Sequence, residues 1–149
     1  MIQVRRFDHR TEHDSVACRE IANLCWHDKV GGDLVEENID YDLEIEQTDY
    51  FVAYEDDVRN VVGFAGVMRS QINYAIAEYV WCNVCPSYQG RGVGQQLTFA
   101  LIDAAKAMQC TQIILTTHLP TFYQRHGFKT LAILDLAYGR SHLMIKDLQ

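Results

Sequence analysis

Two features of this sequence have the residue types and spacing to do chemistry. The first is the run Gln89-Gly90-Arg91-Gly92-Val93-Gly94, where glycine recurs at every second position. It stands between a strand pattern that Pro86 ends and an amphipathic helix pattern that follows at once. Such a turn exposes a row of backbone N–H groups at a helix N-terminus. There the unpaired donors and the helix dipole both favour an anion such as phosphate. The second feature is Glu78, the only carboxylate on the strand that leads into the turn. A lone carboxylate on that strand is a candidate general base.

Among phosphate-binding motifs, two common ones do not fit. The dinucleotide fingerprint G-x-G-x-x-G would need its third glycine at Gln95, and the P-loop would need a Gly-Lys-Ser/Thr that is absent. The spacing that does fit is Q-x-x-G-x-G, from Gln89 to Gly94, after a strand ending in Val84-Cys85-Pro86. In these residues the chain resembles the GNAT superfamily of N-acetyltransferases. Phe122-Tyr123 followed by Gly127-Phe128 matches a second pattern of that superfamily. The stretch Ala77-Glu78-Tyr79-Val80-Trp81-Cys82 is similar to the central strand of its histone acetyltransferase branch.

The resemblance implies acetyl-CoA as co-substrate, with no metal, and transfer of its acetyl group to a primary amine by direct attack. It implies that backbone N–H groups of Gln89, Gly90, Arg91, Gly92, Val93 and Gly94 grip the pyrophosphate of coenzyme A. The pantetheine arm then pairs with the strand edge at Cys82, Asn83 and Val84, as an added strand would. Glu78 is the general base, acting directly or through water, and Tyr123 protonates the departing thiolate. A base is useful because an amine of the lysine type, with an ordinary pKa near ~10.4, is mostly protonated at neutral pH. The oxyanion donor is a backbone N–H on the same strand, that of Val84 or Asn83. One departure stands out. Many members carry an asparagine after the fifth strand, whereas this chain has Thr116-Thr117-His118-Leu119-Pro120, leaving Thr117 or His118 as substitutes.

Composition bounds these readings. The chain has 149 residues, 48% of them hydrophobic, which is enough for one globular domain spanning 1–149. It has no apolar run long enough to span a membrane and no apolar core in its first residues. Five cysteines without framework spacing read as free thiols in a reducing compartment, so a cytoplasmic location is expected. Cys82 and Cys85 point to opposite faces of the sheet and read as packing residues. Net charge is −7, and eleven of the twenty acidic residues lie between Asp33 and Asp57, with no Lys or Arg from Val30 to Val58. That field repels nucleic acid and anionic lipid and attracts cations. The expected acceptor is therefore a cationic amine, either a small molecule or a lysine or N-terminus of a peptide. A non-catalytic acyl-CoA sensor on the same fold is the alternative. Oligomeric state is open at this level, a homodimer included.

The elements that must position these residues follow from periodicity. Strands are expected at Ile2–Phe7, Tyr50–Glu55, Asn60–Ser70, Ala75–Val84, Gln112–Thr117, Lys129–Leu136 and Arg140–Leu148. Thr11 and Asp14 resemble a capping box opening a helix to about Asp28, with Ala17, Ile21, Leu24 and Cys25 as its buried stripe. A second helix is expected over Leu34–Leu43 and a third over Val93–Met108, the latter burying Val93, Leu97, Leu101, Ala104 and Met108. Pro120 starts a short helix capped by Gly127. The order β-α-α-β-β-β-α-β-α-β-β gives a single-domain α/β fold with a mixed sheet. Its fourth and fifth strands are parallel, because a helix crosses between them.

Overall fold

The computed structural model describes residues 1–26, 48–137 and 139–149. One seven-stranded mixed sheet runs through it in the order β1-β2-β3-β4-β5-β7-β6. The strands are β1 (Ile2–Arg6), β2 (Thr48–Glu55), β3 (Val61–Arg69), β4 (Ile76–Val84), β5 (Gln112–Thr117), β6 (Lys129–Leu136) and β7 (Gly139–Asp147). Three described helices accompany them: α1 (His13–Trp26), α2 (Val93–Ala107) and α3 (Pro120–Gln124). The helix expected over Leu34–Leu43 lies outside the described residues.

β4 and β5 are parallel, as the crossover through α2 requires, and every other neighbouring pair is antiparallel. β7 lies between β5 and β6, so the closing hairpin folds back to dock its second strand on the sheet. The two faces are separately packed. On β2, Phe51 and Ala53 join the core under α2, while the alternate residues Tyr50 and Val52 join Cys18, Ile21 and Ala22 of α1. α2 buries Val93, Leu97, Thr98, Leu101, Ile102, Ala104 and Ala105, close to the expected stripe. Cys82 packs on the α2 side and Cys85 on the α1 side, as their three-residue offset requires.

Two expectations are corrected. α1 buries Asp14, Cys18, Ile21 and Ala22, and Leu24 is 53% exposed. Asp14 is also no capping-box partner. Its carboxylate takes both Arg5 guanidinium nitrogens at 2.6 and 2.9 Å and the Asp8 N–H at 2.8 Å. That fully satisfied buried carboxylate rotates the helix, because an acid can be buried only where its partner sits. β5 is covered unequally on its two faces. Ile113 and Leu115 are buried under α2, but Ile114 on the other face is only half-buried.

Candidate active site

The site begins where β4 and β5 part. They pair only from Ile76↔Gln112 to Glu78↔Ile114, although β4 continues to Val84 and β5 to Thr117. The cause lies on the other side of β4. Phe64 pairs with Asn83 and Gly66 with Val80, so Trp81 and Cys82 together oppose Ala65. This is a β-bulge, and Trp81 takes the left-handed conformation at φ +55° to accommodate the extra residue. The bulge bends the second half of β4 away from β5 and opens a gap between them.

Backbone alternation decides which groups face that gap. The Cys85 N–H donates to the Val62 carbonyl on β3 at 2.8 Å. In an antiparallel ladder the intervening residue then points its N–H and carbonyl away from that partner. The Val84 N–H therefore faces the gap, whereas Asn83 pairs back to β3. The Asn83 side chain is buried and occupied as well, accepting from Trp26 Nε1 at 3.0 Å and donating to the Trp81 carbonyl at 3.3 Å.

Past the gap, a single 3-10 turn over Pro86–Tyr88 leads into the glycine run. Gly90 and Gly92 sit at φ +76° and +84°, in the left-handed region that glycine adopts without strain. A Cβ at either would meet nothing of this chain within 4 Å, so the space beside them is open. Gly92 is the N-cap of α2 and no side chain caps it. The N–H groups of Val93, Gly94 and Gln95 are thus without helical partners at an acid-free helix start. The side chain of Val93 is buried in the core, leaving only its backbone for a ligand. Gly94 differs from the other two glycines. A Cβ there would come within 3.3 Å of Phe122 Cζ, so its smallness lets α3 pack against α2. Gln89 donates from Nε2 to the Val84 carbonyl at 3.3 Å, tying the turn to the strand end. The Arg91 guanidinium is engaged within the protein, ion-paired with Glu55 and stacked 4.6 Å from the centre of the Tyr88 ring.

The two proposed proton carriers stand on opposite faces at the parting of the strands. Glu78 occupies the last paired rung and is half-buried; its neighbour Tyr79 points the other way, into the core under α2. Tyr123 reaches the same place from α3. It is 7% exposed, and its ring meets Tyr79 edge-on at 5.7 Å between centroids and 83° between planes. Burial pushes the Tyr123 hydroxyl well above its ordinary pKa, so it stays protonated through the neutral range. Burial likewise pushes up the Cys82 thiol, which neighbours both tyrosine hydroxyls. α3 ends as expected. Gly127 lies at φ +88°, and the His126 and Phe128 N–H groups both donate to the Tyr123 carbonyl, at 2.9 and 3.1 Å.

The departure after β5 is resolved locally. Thr117 Oγ1 accepts the Leu119 N–H at 2.9 Å, and His118 Nδ1 lies 2.5 Å from the Arg140 carbonyl. Both side chains therefore hold the β5–α3 connection to itself and to β7. Sequence reasoning missed a cavity of about 530 Å³ between α2 and α3, where Phe99, Phe122 and His126 stand beside Arg125 and Lys146. Its only sequence signal is the exposed Phe99 on the polar side of α2.

Comparison with known proteins agrees with this architecture. Residues 46–130 match the family described as acetyltransferase (GNAT) domain. The uncharacterized N-acetyltransferase YjhQ of Escherichia coli (strain K12) is 36% identical over 69 residues, 46% of this chain and 36% of that protein. The match thus spans about a third of the length of that curated relative. Among solved structures, an aminoglycoside 6'-N-acetyltransferase complexed with coenzyme A superposes with a TM-score of 0.83 at 18% identity, covering 99% of this chain and 97% of that one. The aminoglycoside 6'-N-acetyltransferase from Enterococcus faecium gives 0.82 at 17% identity over the same shares. A GCN5-related N-acetyltransferase from Kribbella flavida gives 0.76 at 22% identity, over 99% and 98%. These identities establish a shared fold, and the matched domain covers more than half of the sequence: the chain belongs to the GNAT acetyltransferase family.

Proposed function

We propose that this protein transfers the acetyl group of acetyl-CoA to a primary amine by direct attack. The carrying observation is the gap between β4 and β5, with the uncapped α2 N-terminus at its end and Glu78 and Tyr123 on its two faces. The pyrophosphate binds the N–H groups of the glycine turn, and pantetheine lies along Cys82–Val84. The amine enters on the Glu78 face and loses its proton to that carboxylate. Its lone pair attacks the thioester carbon while the Val84 N–H, aimed into the gap, holds the developing oxyanion. The C–S bond then breaks, Tyr123 on the opposite face gives its proton to the sulfur, and the nitrogen sheds its second proton to solvent to leave the neutral amide. Base and acid work on different groups, so placing them on opposite faces lets acceptor and coenzyme approach without crossing. The cavity between α2 and α3 has aromatic walls and two cationic side chains, chemistry suited to the purine and phosphate at the other end of coenzyme A. The five cysteines are free thiols, in keeping with a cytoplasmic setting.

The acceptor we propose is cationic. Of the acidic run, Asp49, Glu55 and Asp56 are each ion-paired, with Arg6, Arg91 and the N-terminus. The rest of the run is Asp57, whose carboxylate accepts the Arg59 N–H at 2.9 Å, and Asp33, Glu36, Glu37, Asp40, Asp42, Glu44 and Glu46, which lie outside the described residues and are the proposed source of the attraction. An amine panel containing spermidine, an aminoglycoside, a lysine peptide and glutamate, assayed by coenzyme A release, tests both levels. Turnover of cationic amines with a KM that rises with salt supports the proposal, because screening shortens from about 10 Å at 0.1 M to about 3 Å at 1 M. A preference for glutamate refutes the acceptor class. Tight coenzyme A binding without turnover of any amine would leave the protein a sensor.

A further inference from the structure

Tyr79 is not used by the reaction described above, yet its hydroxyl is buried where phenylalanine would fill the same space. A buried hydroxyl is costly unless it is hydrogen-bonded, so its partners are informative. The Tyr79 oxygen lies 3.1 Å from Thr98 Oγ1, and Thr98 Oγ1 lies 2.8 Å from the Gly94 carbonyl. A carbonyl only accepts, so the single Thr98 proton is committed to Gly94. Tyr79 must then be the donor to Thr98, which leaves its oxygen with lone pairs alone. On its other side the Tyr79 ring meets the Tyr123 ring edge-on, at 5.7 Å between centroids. A directed chain results, from Tyr79 through Thr98 to the first turn of the helix whose N-terminus faces the glycine run, with the Tyr123 ring packed against its outer end.

We propose that Tyr79, anchored by Thr98, is a positioning residue for Tyr123. Its oxygen accepts the Tyr123 proton while the site is empty and so fixes that hydroxyl at the mouth of the gap. When the C–S bond breaks, the proton passes from the Tyr123 oxygen to the coenzyme sulfur; Glu78 has by then taken one proton from the ammonium form of the amine, the nitrogen loses its second to solvent, and both residues return to their starting states by exchange with solvent. Because the chain ends on the Gly94 carbonyl, the proton donor is held in register with the turn that binds the pyrophosphate. The inference rests on the reading of Tyr123 as proton donor, and the experiment below separates the two.

The test is a double-mutant cycle on coenzyme A release from acetyl-CoA, with spermidine as acceptor and with water alone. Tyr79→Phe is expected to lower kcat about tenfold, the loss of one orienting hydrogen bond, and to leave the KM for acetyl-CoA unchanged. Placed in a Tyr123→Phe background, it should cost nothing further, since the group it orients is already gone. Thr98→Val should reproduce Tyr79→Phe, and Thr98→Ser, which keeps the hydroxyl, should restore the rate. The Thr98 pair carries the test if Tyr79→Phe does not fold. A Tyr79→Phe rate within twofold of wild type, or a cost that persists in full without the Tyr123 hydroxyl, overturns this inference alone. A Tyr123→Phe enzyme as fast as wild type, or a wild type releasing no coenzyme A above buffer, overturns the parent reading with it.

Discussion

Gly92 allows stability and coenzyme binding to be separated within one position. It sits at φ +84° with nothing of the protein within 4 Å of where a Cβ would be. Gly92→Ala therefore meets no clash, and its folding cost is the left-handed strain alone, about 1–2 kcal/mol. In a domain of this size that lowers Tm by about 2–4 °C per kcal/mol. Binding should suffer more. The new methyl group stands among the N–H groups at the start of α2 and holds the pyrophosphate off them. Losing one charge-assisted hydrogen bond costs about 1.5–3 kcal/mol, which weakens Kd by about tenfold to more than a hundredfold. Gly92→Asn is the control, because asparagine tolerates the left-handed region better than alanine. It should melt closer to wild type and still bind poorly. Calorimetric titration with coenzyme A and thermal unfolding, each on both variants, supply the measurements. A folded Gly92→Ala whose Kd stays within twofold of wild type would refute the placement of the pyrophosphate. Gly94 cannot serve for this purpose, since a larger residue there would strike Phe122 before it reached any ligand.

Other expectations concern the proton carriers and the fold. Tyr123→Phe should lower kcat by about 100- to 10,000-fold with acetyl-CoA affinity nearly unchanged, as expected when only a general acid is removed. A rate within twofold of wild type would make the hydroxyl dispensable. Glu78→Gln keeps the shape and removes the basicity, so kcat should fall by about 100- to 10,000-fold; a rate within twofold of wild type would move the base elsewhere. Asp14→Asn should destabilise the fold by about 2–3 kcal/mol, since Arg5 loses a charged partner. Burial alone would raise the Asp14 pKa, but the Arg5 bonds, the Asp8 N–H and the Arg5 charge together bring it below its ordinary value. Its contribution is therefore fully present above the unfolded carboxylate pKa of about 3.9 and is lost as pH falls through the lower folded value. Urea unfolding of wild type and Asp14→Asn across that range should show the two curves converging; a gap that stays constant with pH would refute the assignment.

What the sequence by itself determined is local. The glycine spacing, Pro86, the helical stripe of α2 and the Pro120 and Gly127 boundaries of α3 follow from φ preferences and short-range periodicity. The parallel pairing of β4 and β5 followed from the crossover rule. Glu78 and Tyr123 were legible through family patterns, with no indication of where they stood relative to each other. The tertiary structure decided what depends on distant partners. Arg5 and Asp14 set which face of α1 is buried, against the stripe read from apolar residues alone. The bulge at Trp81 and Cys82 arises from the mismatch between β3 and β4, and alternation from that point turns the Val84 N–H rather than that of Asn83 to the gap. Gly94 reads in sequence as one of three equivalent glycines, yet α3 gives it a packing role. Tyr79 reads as a β-strand aromatic, and only the fold brings Thr98, nineteen residues further on, within 3.1 Å of it. Periodicity can say which side of an element is buried, but a hydrogen bond between elements depends on register and rotation that only packing fixes.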